Sequence, residues 1–81
     1  MSREQLMTSA LRYLDREGSM SASDICFFAG ADPWLYARLC NKEPCSAAEL
    51  DAALPHVLNQ LDAVIAKLTK GRAALAQAVP A

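Results

Sequence analysis

The sequence predicts an all-α protein of about five helices. At three places a serine is followed three residues later by a carboxylate or amide side chain, a spacing that is typical of a capped helix start. The three pairs are Ser2 with Gln5, Ser21 with Asp24, and Ser46 with Glu49. Apolar residues recur at helical spacing along the chain, and glycine or proline interrupts the runs. The chain is therefore predicted to be helical throughout.

The first helix is predicted to run from a capping box at Ser2 to a stop at Gly18. Its apolar positions have helical spacing, and we expect this face to pack onto the next two helices. These positions are Leu6, Met7, Ala10, Leu11 and Leu14.

Two short helices are predicted to follow, joined by a tight turn at Gly30. Ser21 caps the first, and Asp32 followed by Pro33 predicts the start of the second, because proline at the first helical position loses no hydrogen bond. Glycine can adopt the left-handed conformation that such a turn needs, and Cys26 is small enough for a close helix crossing. The residues expected to face the core are Ile25, Ala29, Ala31, Tyr36 and Leu39.

This pattern is typical of a helix-turn-helix, in which the second helix enters the major groove of DNA. A helix that begins at Pro33 places Trp34, Ala37 and Arg38 on its outer face, and Lys42 adds a positive charge just beyond it. Two alternatives stay open. Trp34 could belong to a buried cluster with Leu35, and Arg38 could be a solvated cation with no DNA contact.

The run from Asp24 and Ile25 through Ala29 and Gly30 to Arg38 and Asn41 resembles the DNA-binding headpiece of the LacI-type bacterial repressors. The resemblance covers about a quarter of the chain. It implies that Pro33 and Trp34 take the two base-reading positions at the start of the recognition helix. It also implies that Arg38 makes a further groove contact and that Ser23 and Asn41 contact phosphates.

The segment after Ser46 carries a seven-residue apolar repeat. We expect Pro55 to kink or end a fourth helix near Leu54 and to restart the chain as a fifth. The repeat predicts a dimerisation helix, with a core-facing helix of a monomeric bundle as the alternative. Its residues are Leu54, Val57, Leu58, Leu61, Val64, Ile65 and Leu68. The single domain 1–81 is thus divided into a helix-turn-helix core (1–45), a dimerisation segment (46–70) and a tail expected to fray (71–81).

Composition limits the function classes. The net charge of −1 and the pI near 5.7 allow only a modest basic surface for DNA, around Arg38 and Lys42. The three cysteines are expected to be reduced thiols, and neither their spacing nor His56 predicts a metal site. We find no pattern for catalysis, a cofactor or a small-molecule ligand. With no signal-peptide pattern and no membrane-spanning run, a cytoplasmic location is expected.

Together these observations predict a sequence-specific DNA-binding transcriptional regulator, a dimeric repressor of a palindromic operator. The resemblance also implies a small stand-alone repressor of the kind that plasmids and phages encode. The alternative is a helix-turn-helix scaffold that binds and inhibits a protein partner. The acidic balance and the apolar residues Trp34 and Leu35 favour that alternative.

Overall fold

A computed structural model describes residues 2–78, and within that range the chain forms four α-helices. Helix α1 is Arg3–Glu17, α2 is Ala22–Phe28, α3 is Leu35–Cys40 and α4 is Ala47–Ala78. The predicted all-α class is confirmed for this range, with four helices in place of about five. No helix among residues 2–78 is both long enough and apolar enough to cross a membrane.

Helix α1 begins and ends where its sequence signals predict. The Gln5 N–H donates to Ser2 Oγ at 3.1 Å, and the Ser2 N–H donates to Gln5 Oε1 at 2.8 Å, which completes a capping box. At the other end, Gly18 lies close against the last turn. A Cβ at this position would lie only 2.7 Å from the carbonyl oxygen of Leu14, so Gly18 is required for space.

The turn after α2 confirms the predicted role of Gly30. Ser21 Oγ accepts from the Asp24 N–H at 3.2 Å, and the helix ends at Phe28. Gly30 then adopts φ +78°, in the left-handed region where a Cβ is strained. The Ala31 N–H donates to the carbonyl oxygen of Cys26 at 3.1 Å and closes the turn.

Helix α3 starts two residues later than predicted. The Asp32 carboxylate accepts from the Trp34 N–H at 3.0 Å, and the Asp32 carbonyl oxygen accepts from the Leu35 N–H at 2.9 Å. Pro33 and Trp34 therefore lie in a turn ahead of the helix. The inward-facing residues also differ from the prediction, because Leu35 is fully buried and Tyr36 only half-buried.

Helix α4 is continuous through Pro55, so the predicted break between a fourth and a fifth helix is wrong. Proline inside a helix costs about 3 kcal/mol through a lost hydrogen bond and a steric clash. Leu50, Ala53 and Val57 are buried on both sides of Pro55, and this packing stabilises the helix on either side of the proline. Pro55 itself is exposed. The capping box at the start of α4 is present, with the Glu49 N–H donating to Ser46 Oγ at 3.2 Å.

The segment after Gly71, which the sequence predicts to fray, is helical over the described residues, because α4 continues to Ala78. Residues 79–81, which include Pro80, lie outside the described residues. The last part of the helix differs from the first in its surroundings, since every residue from Ile65 to Ala78 is exposed. We call residues 65–78 the overhang and residues 2–64 the body.

One core holds the body together. Helices α1, α2 and α3 pack against one another, and α1 and α2 pack against α4. The principal extents of 52 × 25 × 17 Å reflect the overhang, which extends one end of the molecule. The buried residues come from all four helices: Met7, Leu11, Leu14, Ala22, Ile25, Cys26, Leu35, Leu39, Leu50, Ala53 and Val57.

Candidate nucleic-acid interface

The seven residues predicted to contact DNA lie on α2, in the turn before α3, on α3 and directly after it. Six of the seven are exposed and one, Arg38, is half-buried. Because Trp34, Ala37, Arg38 and Asn41 are three or four residues apart, they follow one side of α3. The exposed six are Ser23, Pro33, Trp34, Ala37, Asn41 and Lys42.

The Arg38 guanidinium is bound by two carboxylates of the chain itself. It forms an ion pair with Glu49 in the first turn of α4, in which Nη1 also lies 3.3 Å from Glu49 Oε1. Its Nη2 lies 3.2 Å from Asp32 Oδ2. The hydrogen bond from Arg38 lowers the pKa of Glu49, and the same bond raises the pKa of Arg38. Arg38 therefore joins α3 to the start of α4 instead of pointing freely outward.

Lys42 is the cation of this surface that is free to meet a ligand. It is exposed and forms no ion pair with any residue from 2 to 78. Its backbone has φ +59°, a left-handed conformation that reverses the chain after α3. Hydrogen bonds hold this reversal, with the Lys42 N–H donating to Leu39 O at 3.1 Å and the Glu43 N–H donating to Arg38 O at 2.9 Å. The position of Lys42 is thus well defined.

Three exposed aromatic side chains flank the turn at Gly30. Trp34 is 72% exposed, so it lies on the surface and is not part of a buried cluster. Its neighbour Leu35 is fully buried. Phe27 and Phe28 are 60% and 62% exposed, and their rings meet edge to face with centroids 5.5 Å apart. The two phenylalanines are not among the site residues that the sequence predicts. Helical spacing gives the signal: Ala22, Ile25 and Cys26 form the buried stripe of α2, and residues 27 and 28 lie off it.

The predicted dimerisation residues divide between two faces of α4. Val57 is only 2% exposed and belongs to the core of the chain itself, and Leu61 and Val64 pack against that core. The packing of these three residues therefore matches the alternative prediction, a core-facing helix of a monomeric bundle. The other four have no such cover: Leu54, Leu58, Ile65 and Leu68 are between 38% and 62% exposed.

The three cysteines are free thiols. Cys26 is buried between helices, and burial raises the pKa of its thiol. Cys45 is half-buried with a pKa that burial also raises, and Cys40 is exposed. Among residues 2–78, no group of three or more metal-ligating side chains is arranged to hold an ion.

Comparison of the chain with protein-family models, with curated proteins and with solved structures found no match.

Proposed function

We propose that this protein is a sequence-specific DNA-binding transcriptional regulator, a dimeric repressor that binds a palindromic operator through α2 and α3. The observation that carries the proposal is the pair of short helices joined at Gly30, with φ +78°, beside an exposed row of side chains along α3. A helix-turn-helix needs both a glycine-permitted turn and an uncovered second helix.

The geometry of the side chains suggests a distinct role for each. Lys42, Asn41 and Ser23 are exposed and can donate to phosphate oxygens, which position a protein on the duplex. Trp34 and Pro33 present apolar surface at the entry to α3, which suits contact with the methyl group of thymine. Arg38 acts as a positioning residue in this scheme, because Glu49 and Asp32 already bind its guanidinium.

Repression then follows from occupancy. Two copies of the recognition helix bind the two halves of a palindrome, and a dimer that covers a promoter excludes polymerase.

The test is selection of bound sequences from a pool of random duplexes, followed by titration of the selected duplex at several salt concentrations. Trp34 is the single tryptophan of the chain, so its fluorescence reports directly on the predicted interface. We expect an enriched palindrome, a change in Trp34 emission on binding, and an affinity that falls with salt because phosphate contacts release counterions. Selection that enriches nothing, together with no binding at low salt, would reject the proposal.

Replacement of Lys42 by glutamine tests the phosphate contact. We expect weaker binding to all duplexes and a salt slope reduced by about one, because one cation no longer meets a phosphate. Arg16→Gln is the matched control, since Arg16 is an exposed cation at the end of α1 outside the predicted interface. Equal losses in both variants would mean that Lys42 has no special contact. Arg38→Ala is a poor test, because it also breaks the ion pairs between α3 and α4.

A second candidate function, the binding of a protein partner, is favoured by one specific observation. Trp34, Phe27 and Phe28 are exposed around the turn, and aromatic residues of this kind are enriched at protein interfaces. Leu35, which our sequence analysis added to this surface, is buried and takes no part. Two variants distinguish the candidate functions. If Trp34→Ala keeps DNA binding but loses regulation, the partner is a protein. If Lys42→Gln loses DNA binding, the protein is a DNA-binding regulator.

A further inference from the structure

The exposed large apolar residues of α4 follow a single seam. Their positions, together with those of Leu61 and Arg72, alternate in steps of four and three residues along the helix, which is the repeat of a coiled coil. Leucine stands at every position reached by steps of seven from Leu54. The complete seam is Leu54, Leu58, Leu61, Ile65, Leu68, Arg72 and Leu75.

This seam differs from the core stripe of the same helix. Leu50, Ala53 and Val57 are buried against the body, whereas Leu58 is 50%, Ile65 58%, Leu68 62% and Leu75 66% exposed. The core stripe therefore needs no second chain. Of the seam residues, only Leu61 packs against the core among residues 2–78, and the large exposed ones lie outside it.

The overhang also needs a partner for its own stability. It is a helical segment in which every residue is exposed, and isolated helices of about 12–15 residues are only marginally stable in water. Burial of Ile65, Leu68 and Leu75 would supply the packing that holds most helices in proteins.

The charges of α4 show which partner fits and in which direction. The charged residues of its first half are acidic, Glu49, Asp51 and Asp62, and those of its second half are the basic Lys67, Lys70 and Arg72. Arg38 and Arg3 bind Glu49 and Asp51 within the chain, which leaves Asp62 without an ion pair among the described residues. A helix with opposite charges at its two ends complements a second copy that runs the other way.

Arg72 selects the antiparallel direction. In a parallel pair, equal positions meet across the seam, so two Arg72 side chains would face each other in an apolar layer. In an antiparallel pair with Ile65 beside Leu68 of the partner subunit, Arg72 lies opposite Leu61 of the partner subunit and next to Asp62 of the partner subunit. Leu58 then meets Leu75 of the partner subunit, and the layers between 58 and 75 are filled from both chains.

We propose that two copies of this chain pair through an antiparallel coiled coil of α4, closed by reciprocal Arg72–Asp62 ion pairs between subunits. This inference rests on the two-copy arrangement of the proposed regulator, and it identifies the face and the direction of pairing. Its test is made without DNA, so loss of DNA binding in an intact dimer counts against the proposed function alone.

The experiment measures the dimer dissociation constant of the full chain by sedimentation equilibrium, with a mass of twice 8.7 kDa expected for the dimer. Asp62→Arg and Arg72→Asp are each expected to weaken dimerisation by about tenfold, because each turns attraction into repulsion at two symmetric sites. The double variant, with both charges exchanged, is expected to recover most of the loss. A parallel dimer would show no effect of Asp62→Arg and no recovery.

Ile65→Glu tests the seam itself, because a charge at its centre would be buried without a partner. We expect dimerisation to weaken by more than a hundredfold. Ala63→Glu is the control, since Ala63 is exposed on the opposite side of α4 and receives the same charge. Circular dichroism of both variants checks that the body remains folded. A wild-type chain that stays monomeric at millimolar concentration would overturn the proposal.

Discussion

The body and the overhang use the same amino-acid types in opposite ways. In the body, leucines such as Leu11 and Leu14 are completely buried and join α1 to the rest of the core. In the overhang, Leu68 and Leu75 are more than 60% exposed and lie outside the buried core. The body is therefore stabilised within one chain, whereas the stability of the overhang depends on what covers it.

The largest expected effect comes from breaking the body. Leu11→Ala removes a fully buried side chain and should lower the free energy of unfolding by about 3 kcal/mol, through lost burial and the cavity left behind. Leu68→Ala, an equal truncation in the overhang, should change the stability of the monomer by less than about 0.5 kcal/mol.

Chemical denaturation of both variants at a concentration that keeps the chain monomeric measures the difference. Similar losses in both would show that the overhang packs against its own body.

Two glycines sharpen the comparison because their replacement by alanine should act with opposite signs. Gly30→Ala places a Cβ at φ +78° and should destabilise the body by about 1 kcal/mol. Gly71→Ala adds a Cβ with no atom within 4 Å inside a helix and should stabilise the overhang by about 0.5–1 kcal/mol. Far-UV circular dichroism during thermal unfolding reads both changes. A gain in both variants would mean that the turn at Gly30 is not strained.

The smallest expected effect concerns pH. The hydrogen bond from Arg38 lowers the pKa of Glu49 in the folded chain. A lowered folded-state pKa contributes stability that is present above the unfolded pKa of Glu49 and is lost as pH falls through the folded pKa. We expect the free energy of unfolding of Glu49→Gln to fall less on acidification than that of the unchanged chain. The control is Glu17→Gln, which removes an exposed carboxylate that lies outside the seam and forms no ion pair inside the described chain.

Local signals predicted the helix ends where one residue decides the geometry. Ser2, Gly18, Ser21, Gly30 and Ser46 each act through a hydrogen bond, a φ angle or a close approach that a short sequence contains. The predicted helix end at Pro55 was wrong because the local cost of proline is smaller than the gain from residues buried on either side of it. Such packing depends on α1 and α2, which lie far away in sequence.

For the candidate site, too, local spacing was predictable and contacts between helices were not. Helical spacing placed Ala37 on the exposed side of α3, whereas it left the exposure of Trp34 open. The ion pair of Arg38 with Glu49 joins residues from different helices, eleven positions apart, and no local pattern indicated it. The exposure of Phe27 and Phe28, in contrast, could have been predicted from the sequence, because helical spacing places both residues off the buried stripe of α2. Whether these residues bind DNA stays a prediction.

The length of α4 would also set the distance between the two recognition helices of the proposed dimer. In the proposed antiparallel pair, the two copies of Glu49, which binds Arg38 of α3, are offset by 35 residues or about 52 Å of helix. Seven residues inserted into the seam would lengthen this offset by about 10 Å. The preferred operator would then gain about three base pairs between its half-sites, which ties operator length to helix length.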